Sequence, residues 1–295
     1  MIEPTEAVDR IAAATGSQPG SRTLHAKGWF FEGTFTASPE AAALCRAGHL
    51  QGDPVPVQVR WSNGAGHPRN KDSGSDVRGM AVKFLLPDGS ATDLLGQTAP
   101  YFPVRTPEDF VELTEAVATP WKLPLFLALR PATAMSLLGN FRAGALRPPR
   151  SYAEATYFPI HAYRWVAAGG DERWVRYRIV PVDAPAGRPA GEFAGRDRLR
   201  EEILARLERG PVVFDLRVTL AGPDDDPHDP MSQWGGQADL SAGRIEVTAA
   251  VPDPEGEGAV VVFDPTRVVD GIELSDDPIL LFRPAAYSVS VDRRV

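Results

Sequence analysis

The chain has 295 residues, of which 43% are hydrophobic and 24% are charged, a balance typical of a globular protein that buries a substantial core. Its formal net charge of -8, from 31 Lys and Arg against 39 Asp and Glu, argues against nucleic acid or an anionic membrane as the main partner and leaves room only for local basic pockets. The single cysteine, Cys45, excludes an internal disulfide, and no window reaches eighteen consecutive apolar residues, so we expect a reducing, cytoplasmic environment and no stable membrane association.

The first fifty residues predict a helix, a strand and a second helix. Residues 4–15 place apolar side chains at helical spacing, and the acidic residues near the N-terminus are unlike a secretory signal. Residues 28–36 are rich in aromatic residues and threonine, which is typical of a strand. The second helix is predicted over residues 39–48, with Ser38 as its N-cap and Pro39 in its first turn.

The next segment predicts a strand pair and a helix. Residues 55–61 and 80–84 alternate apolar and polar side chains over much of their length, so we expect two antiparallel strands with one buried face. The stretch between them, residues 62–76, is rich in Gly, Asn, Ser and Asp and predicts an ordered surface loop. Residues 107–116 carry an acidic first turn and predict a helix.

Residues 121–141 are strongly apolar and are interrupted by Pro124 and Pro131. Prolines at these positions favour short helices over one long helix. Two arrangements fit the pattern: short helices that line a cavity, or a plain pair of core helices.

The second half of the chain predicts mainly strands. A strand pair is expected over residues 157–166 and 174–182, followed by a loop over residues 185–192 and a charged amphipathic helix over residues 195–208. Three further strands are expected at residues 212–220, 244–250 and 258–263. Because strands recur without regular intervening helices, the sequence predicts an α+β fold, with an antiparallel sheet closed into a barrel and helices outside it.

One histidine has neighbours that suggest a chemical task. His25 lies between Arg22 and Lys27 and shortly before the aromatic run at residues 29–31. An imidazole that is close to an apolar wall and to fixed positive charge can stay neutral and act as a base. The alternative is a structural histidine at the entrance to a strand.

A second candidate pair lies near the C-terminus. If a helix starts near Arg283 with Pro284 in its first turn, Arg283 and Tyr287 stand at positions i and i+4 on one face. A guanidinium beside a phenol favours the phenolate, which is a hard anionic ligand for ferric iron. The alternative is an ordinary core tyrosine whose hydroxyl reaches the surface.

Several segments, taken together, resemble the haem catalase family. They are residues 22–28 (RTLHAKG), 59–62 (VRWS), 78–84 (RGMAVKF), 93–96 (DLLG) with Pro100, 263–265 (FDP), 271–273 (GIE) and the spacing from Arg283 to Tyr287. The chain most resembles the small, truncated catalase-related peroxidases. The resemblance implies a single catalase-like haem-binding domain over residues 1–295, without the long N-terminal arm and the C-terminal helical domain of full catalases.

The resemblance implies a role for each matching residue around haem b. His25 matches the distal acid/base that moves a proton between the two peroxide oxygens, and Ser62 matches the hydroxyl that supports its imidazole. Tyr287 matches the proximal ligand of the ferric iron, as a tyrosinate, and Arg283 matches the charge partner of that ligand.

Other matching residues would hold or surround the porphyrin. The planar guanidinium group of arginine can donate two parallel hydrogen bonds to one carboxylate, so arginines are well suited to the haem propionates. The matches are Arg22, Arg60 and Arg294 for the propionates, Phe110 for stacking on the haem, and His161 with Asp277 behind the proximal arginine. Arg78 also lies in a matching motif, where a structural role is the alternative.

One position departs from the family pattern. Catalases resemble one another in placing a distal Asn directly after the glycine that corresponds to Gly96, and this chain has Gln97 there. The carboxamide is retained on a stem one methylene longer, so we expect poorer orientation of a second hydrogen peroxide for oxidation. The resemblance therefore implies weak catalase activity and reliance on a small organic reductant, and truncation implies a haem channel open to larger hydroperoxides.

Three functions are compatible with these residues. The leading hypothesis is a haem-dependent peroxidase that reduces hydrogen peroxide and organic hydroperoxides with an organic electron donor. The second is a hydroperoxide isomerase or dehydratase of the allene oxide synthase type; residues 121–141 suit a lipid tail, but those synthases resemble one another in a threonine before the distal histidine, where this chain has Leu24. The third is a non-enzymatic haem-binding redox sensor, against which His25 and Ser62 argue. The missing arm implies a homodimer, and we expect no bound NADPH.

Overall fold

The computed structural model of the chain describes residues 2–182, 193–256 and 258–294. Within these residues, nine strands form one antiparallel sheet. In chain order they are β1 (Gly28–Ala37), β2 (Val55–Asn63), β3 (Arg78–Leu85), β4 (Ala91–Gln97), β5 (Ala162–Val166), β6 (Glu172–Pro181), β7 (Val212–Leu220), β8 (Ala238–Ala250) and β9 (Ile272–Leu274). Their order across the sheet is β4-β3-β2-β1-β8-β7-β6-β5-β9.

The same residues form seven α-helices. They are α1 (Pro4–Thr15), α2 (Pro39–Leu44), α3 (Pro107–Ala118), α4 (Leu123–Leu129), α5 (Pro131–Arg142), α6 (Arg198–Leu207) and α7 (Pro278–Asp292). All except α6 have proline in the first turn, where the missing N–H removes no helical hydrogen bond. Helices α1, α3 and α7 pack on one another.

Tyr157 and Phe158 link the β4 edge of the sheet to β6, the third strand from the opposite edge. Gln97, at the end of β4, exchanges main-chain hydrogen bonds with Phe158 (2.7 and 3.2 Å), and Tyr157 exchanges them with Ile179 of β6 (2.8 and 2.9 Å). Bulges in the pairing of β8 with β1 and with β7 increase the local twist. The predicted antiparallel barrel with surrounding helices is confirmed in this curled form.

The barrel interior is filled by one face of the strands. Alternating residues such as Val59 and Trp61 of β2 and Val82 of β3 are fully buried in the main hydrophobic cluster. Trp61 stacks on Tyr152, with ring centres 5.8 Å apart and planes within 6°. The opposite face of β2–β4 is therefore free to form one wall of a cavity outside the barrel.

Most predicted elements are confirmed, but several boundaries and one strand are wrong. The strands predicted to start at residues 157 and 244 begin at Ala162 and Ala238. The helix predicted to reach residue 48 ends at Leu44, because Cys45 is extended and its thiol donates to the Gly271 carbonyl (3.2 Å). The strand predicted over residues 258–263 is irregular. Its carbonyl groups accept hydrogen bonds from side chains instead of a neighbouring strand, including Arg22 to Val261 (2.7 Å).

The last helix begins earlier than predicted. Helix α7 starts at Pro278, with Asp277 as its N-cap, so Pro284 lies inside the helix and not in its first turn. Strands β4 and β9 were not predicted. The loop predicted over residues 185–192 lies outside the described residues.

The apolar stretch at residues 121–141 forms two short helices, α4 and α5, as predicted from its prolines. The arrangement as cavity-lining helices is wrong. The arrangement as a core helix pair is correct only in part, because Phe126 is buried in a hydrophobic cluster with Leu123, Leu127 and Leu137 packed against it. None of its residues lines the cavity described below, and most of its large apolar side chains are exposed instead of belonging to a core.

Candidate active site

A cavity of about 290 Å³ lies between the outer face of β2–β4 and helices α1, α3 and α7. Its walls are largely apolar, with Val8 and Ile11 from α1, Val111 from α3 and Phe282 from α7. Convergent polar groups enter from the sheet and from α7. A mainly apolar cavity with few polar groups is typical of a ligand site.

One row of residues that face each other across neighbouring strands crosses β1–β4, and three of its four members line the floor of the site. Gly28, Ser62, Gly79 and Gln97 are direct neighbours on β1, β2, β3 and β4, so their side chains share one face of the sheet. The two glycines leave room for other groups. A Cβ atom at Gly79 would lie 2.7 Å from Ser62 Oγ and 2.8 Å from the His25 ring.

His25 occupies the space above Gly79 in a backbone conformation unusual for a residue with a side chain. Among the non-glycine residues that the structure describes, it alone has a positive φ, of 54°. Its main-chain N–H donates to the Gly64 carbonyl (2.9 Å), and its Nδ1 is 2.9 Å from Ser62 Oγ. The turn therefore directs the imidazole into the cavity and fixes one ring nitrogen.

His25 is held neutral. Burial, followed by the charges of Arg60, Arg283 and Arg22, lowers the pKa of His25 to about 3. With Nδ1 engaged by Ser62, Nε2 makes no hydrogen bond to the described chain and remains open to the cavity. Such an imidazole can accept a proton from a ligand and return it.

Two arginines in the cavity lining already bind a carboxylate. Arg22 donates through Nε (3.3 Å) and Nη2 (2.7 Å) to Glu255, and Nη1 of Arg294 donates to the same carboxylate (2.7 Å). Burial lowers the pKa of the Arg22 guanidinium. Sequence reasoning missed Glu255, because it lies more than 230 positions from Arg22 and in no recognisable motif.

Arg60 adds a third guanidinium to this group. Its Nη2 donates to the carbonyls of His25 (3.0 Å) and Ala26 (3.3 Å), while its buried Nε has no partner in the described residues. Burial and the charge of Arg22 lower the pKa of Arg60 to about 9, so it stays charged at neutral pH. Gly28 makes this position accessible, since a Cβ there would lie 2.4 Å from the guanidinium carbon.

Helix α7 contributes the remaining polar groups along one face. Nη1 of Arg283 donates to the Tyr287 hydroxyl (3.2 Å), and both residues line the cavity, with Arg294 two turns further on. The start of the helix is fixed by Asp277, whose Oδ1 accepts from the main-chain N–H of Ile279 (2.8 Å).

His161 is close to this helix but outside the cavity lining. It is buried, and its Nδ1 pairs with Oδ2 of Asp277 at 2.6 Å. Burial and the charge of Arg283 lower the pKa of His161 to about 4, so the neutral ring donates Nδ1–H to the carboxylate. His161 and Asp277 thus lie behind Arg283, as expected from the resemblance, and support α7.

Two further predicted residues have clear positions. Phe110 lines the cavity and stacks on Phe102, with ring centres 5.8 Å apart. Arg78 is fully buried away from the lining and donates to four carbonyl groups of residues 72–77. Arg78 therefore holds the loop beside the site, which is the structural alternative.

Nine of the ten predicted site residues line the same cavity. They are Arg22, His25, Arg60, Ser62, Gln97, Phe110, Arg283, Tyr287 and Arg294. These residues come from five separate parts of the chain. Their convergence is a property of the fold, not of any one motif.

Comparison with known proteins agrees with this geometry. A family model described as catalase matches residues 1–192. A catalase-related peroxidase of Mycolicibacterium paratuberculosis is 46% identical over 99% of this chain and 95% of its own length, and one of Synechococcus elongatus is 30% identical over 99% and 89%. A solved structure of a bacterial catalase has the same fold, with a TM-score of 0.73 at 21% identity over 98% of this chain and 60% of that one. The chain belongs to the catalase family.

Proposed function

We propose that this chain is a haem-dependent peroxidase that reduces hydrogen peroxide and organic hydroperoxides with a small organic donor, and that its catalase activity is weak. The observation that carries the proposal is a neutral His25, anchored by Ser62, in a cavity that also contains the Arg283–Tyr287 pair. Two relatives named as catalase-related peroxidases support the reaction class.

The residues around the cavity fit a haem. A haem carries two propionates, and Arg22 with Arg294 already binds the carboxylate of Glu255. The partnerless Nε of Arg60 adds a buried donor beside them. Arg22, Arg60 and Arg294 would hold the propionates, and Phe110 with the apolar walls would contact the porphyrin.

Tyr287 would hold the iron of haem b through its phenol oxygen. Its hydroxyl accepts a hydrogen bond from Arg283 (3.2 Å), so Arg283 would be the charge partner of that ligand. When bound, the haem supplies the electrons that break the peroxide O–O bond and retains the oxidising equivalents until a donor is oxidised.

His25 would move one proton during this reaction. Because it is neutral, Nε2 can accept the proton from one peroxide oxygen and deliver it to the other, which leaves as water or as an alcohol. Ser62 holds Nδ1 at 2.9 Å and so keeps Nε2 directed at the ligand.

Gln97 would reduce the efficiency of hydrogen peroxide oxidation. It lies on the same row as Ser62, separated from it by Gly79. The longer stem places its carboxamide differently from the shorter asparagine of catalases. An organic donor would therefore return the enzyme to its resting state more readily than a second peroxide.

The proposal is tested by comparing two rates on the haem-replete protein. Oxygen release measures hydrogen peroxide disproportionation, and absorbance measures oxidation of a phenol with hydrogen peroxide or cumene hydroperoxide. We expect phenol oxidation with both peroxides to be the faster reaction. Disproportionation that is faster by orders of magnitude would contradict the proposal.

A further inference from the structure

Helix α5 has an inverted distribution of polar and apolar side chains. Its buried residues are the polar Thr133, Ser136 and Asn140, and Asn140 bonds both main-chain groups of Tyr101 (2.8 and 3.1 Å). Phe141, one of its large apolar residues, is 72% exposed. A surface helix ordinarily buries its apolar face, so this exposed face needs an explanation.

The exposed apolar face continues onto the helix before it. Trp121 is 79% exposed, and Leu125 and Leu129 of α4 follow it at intervals of four residues, which places them on one side. Helix α4 packs against α5. Eight of the eleven large hydrophobic side chains that are exposed in the described residues lie within residues 117–146. We call these eight the apolar surface: Val117, Trp121, Leu125, Leu129, Met135, Leu138, Phe141 and Leu146.

This part of the chain is also strongly cationic. Residues 116–153 contain no Asp or Glu and five cationic side chains, in a chain whose net charge is -8. Arg130 is paired with acidic residues of α3. The other four are exposed and form no salt bridge with the described residues, although the charge of Lys122 acts on Glu115 of α3. The four are Lys122, Arg142, Arg147 and Arg150.

The charge distinguishes between the surfaces that could cover these side chains. A second copy docked through the same face would bring the four unpaired cations close to their own copies, which is unfavourable. An anionic bilayer complements both features, because apolar side chains enter the boundary between headgroups and acyl chains while Lys and Arg pair with lipid phosphates. Trp121 is suited to that boundary by its apolar ring and polar N–H.

We propose that the apolar surface binds the face of an anionic lipid bilayer. The binding is peripheral, since in the described residues no helix is long and apolar enough to cross a membrane. The net charge of the whole chain argued against an anionic membrane as the main partner, because that sum combines a local cationic region with acidic residues elsewhere in the chain. The proposal is independent of the chemistry assigned to the cavity.

Flotation of the haem-replete protein with vesicles tests the proposal. Vesicles of phosphatidylcholine with 30% phosphatidylglycerol are compared with vesicles of phosphatidylcholine alone. We expect binding to the anionic vesicles at low salt, loss of binding at high salt, and little binding to the neutral vesicles.

Two pairs of substitutions separate the apolar from the charged contribution. Trp121→Ser with Phe141→Ser should lower partitioning at least tenfold, and Lys122→Gln with Arg142→Gln should lower it about 25-fold, from about fivefold for each cation. Leu85→Ser is the matched control, because Leu85 is exposed on β3 and outside the apolar surface. Thermal unfolding and the haem spectrum check that every variant is folded.

Three outcomes would overturn the proposal. One is that the wild type does not bind anionic vesicles at low salt. Another is that both paired variants bind these vesicles as well as the wild type does. The last is that the wild type binds no vesicles and is a dimer in light scattering, while Trp121→Ser with Phe141→Ser is a monomer. That result would assign the apolar surface to a second copy.

Discussion

At the scale of single residues, the arrangement of the site depends on the side chain that Gly79 lacks as well as on the side chains of His25 and Ser62. The His25 imidazole can lie between Ser62 and the cavity because Gly79 has no side chain. The left-handed backbone of His25 costs on the order of 1 kcal/mol, and two main-chain hydrogen bonds, from His25 to Gly64 and from Ala26 to Ala65, hold it in place. The imidazole is thus fixed by the backbone as well as by its hydroxyl partner.

Gly79→Ala should slow the reaction with peroxide without preventing haem binding. The added Cβ would lie within 3 Å of Ser62 Oγ and of the His25 ring, so the imidazole must shift. A displacement of about 1 Å at a catalytic group lowers a rate about 100-fold. Stopped-flow mixing with hydrogen peroxide measures the rate, and Gly169→Ala, which places its methyl in open space, is the control. Equal rates for the two variants would show that the contact has no functional consequence.

Glu255→Gln should increase haem affinity. Glu255 binds Arg22 and Arg294, the same guanidinium groups that would hold the propionates, so its removal ends a competition and leaves more positive charge for a dianionic ligand. Titration of the haem-free protein with haemin measures the affinity. Glu208→Gln makes the same charge change on the exposed end of α6 and should have no effect. Weaker haem binding by the Glu255 variant would contradict this prediction.

At the scale of elements, helix α7 organises one side of the site. Its polar face carries Arg283, Tyr287 and, just beyond its end, Arg294. Asp277 fixes its first turn and also accepts a hydrogen bond from the buried His161. One carboxylate therefore sets where the helix begins and ties it to the residues before β5.

Substitution of Asp277 should separate these two contacts. Asp277→Ala loses the cap, at about 1 kcal/mol, and a charge-assisted hydrogen bond, at about 2 kcal/mol, so both the free energy of unfolding and haem affinity should fall. Asp277→Asn retains a good cap and should lose less. Ser38→Ala removes the cap of α2, away from the cavity, and should lower stability alone. Haem affinity that does not change in Asp277→Ala would contradict the link between α7 and the haem site.

At the scale of the whole molecule, the protein buries neutral histidines. Burial lowers the pKa of His25 and of His49 to about 3 and that of His161 to about 4. In the unfolded chain the same groups titrate near pH 6.5. Below that pH the unfolded chain binds protons that the folded chain does not, so the stability that these residues contribute is present above pH 6.5 and is lost as the pH falls towards 4.

Acid should therefore destabilise the protein more steeply than its carboxylates alone would. Each buried histidine contributes about 1.4 kcal/mol per pH unit between pH 6 and pH 4. Urea unfolding at pH 7 and pH 5 measures the slope. His49→Leu should make it shallower, because His49 is buried between Phe35 and Phe84 with no polar partner for Nδ1 in the described residues. An unchanged slope in His49→Leu would contradict the explanation.

Much of the fold could be predicted from local patterns. Strand alternation, prolines at helix starts and the cap at Ser38 are encoded within a few residues, and they placed β1, β2, β3, β7 and most helices. Strand β9 has three residues, too few for a periodic signal. The strand predicted at residues 258–263 is wrong because its apolar pattern is real but its carbonyl groups are bonded by Arg22, Lys83 and Arg267.

The candidate site could be predicted largely through its resemblance to a family, and less through local chemistry. His25 and the Arg283–Tyr287 pair had recognisable neighbours. Glu255 had none, because its significance depends on two arginines that only the fold brings to it. The apolar surface was missed for a related reason, since an apolar segment predicts burial unless the tertiary contacts show which face points outwards.

The central claim is that His25 transfers a proton between the oxygens of a peroxide at a haem that Tyr287 would hold, and His25→Ala tests it most directly. Both the wild type and the variant are reconstituted with haem and mixed with hydrogen peroxide in a stopped-flow spectrophotometer. We predict a ferric spectrum of the tyrosinate type in both proteins and a rate of reaction with peroxide about 1,000-fold lower in the variant. A wild type that binds no haem, or a variant that reacts as fast as the wild type, would contradict the claim.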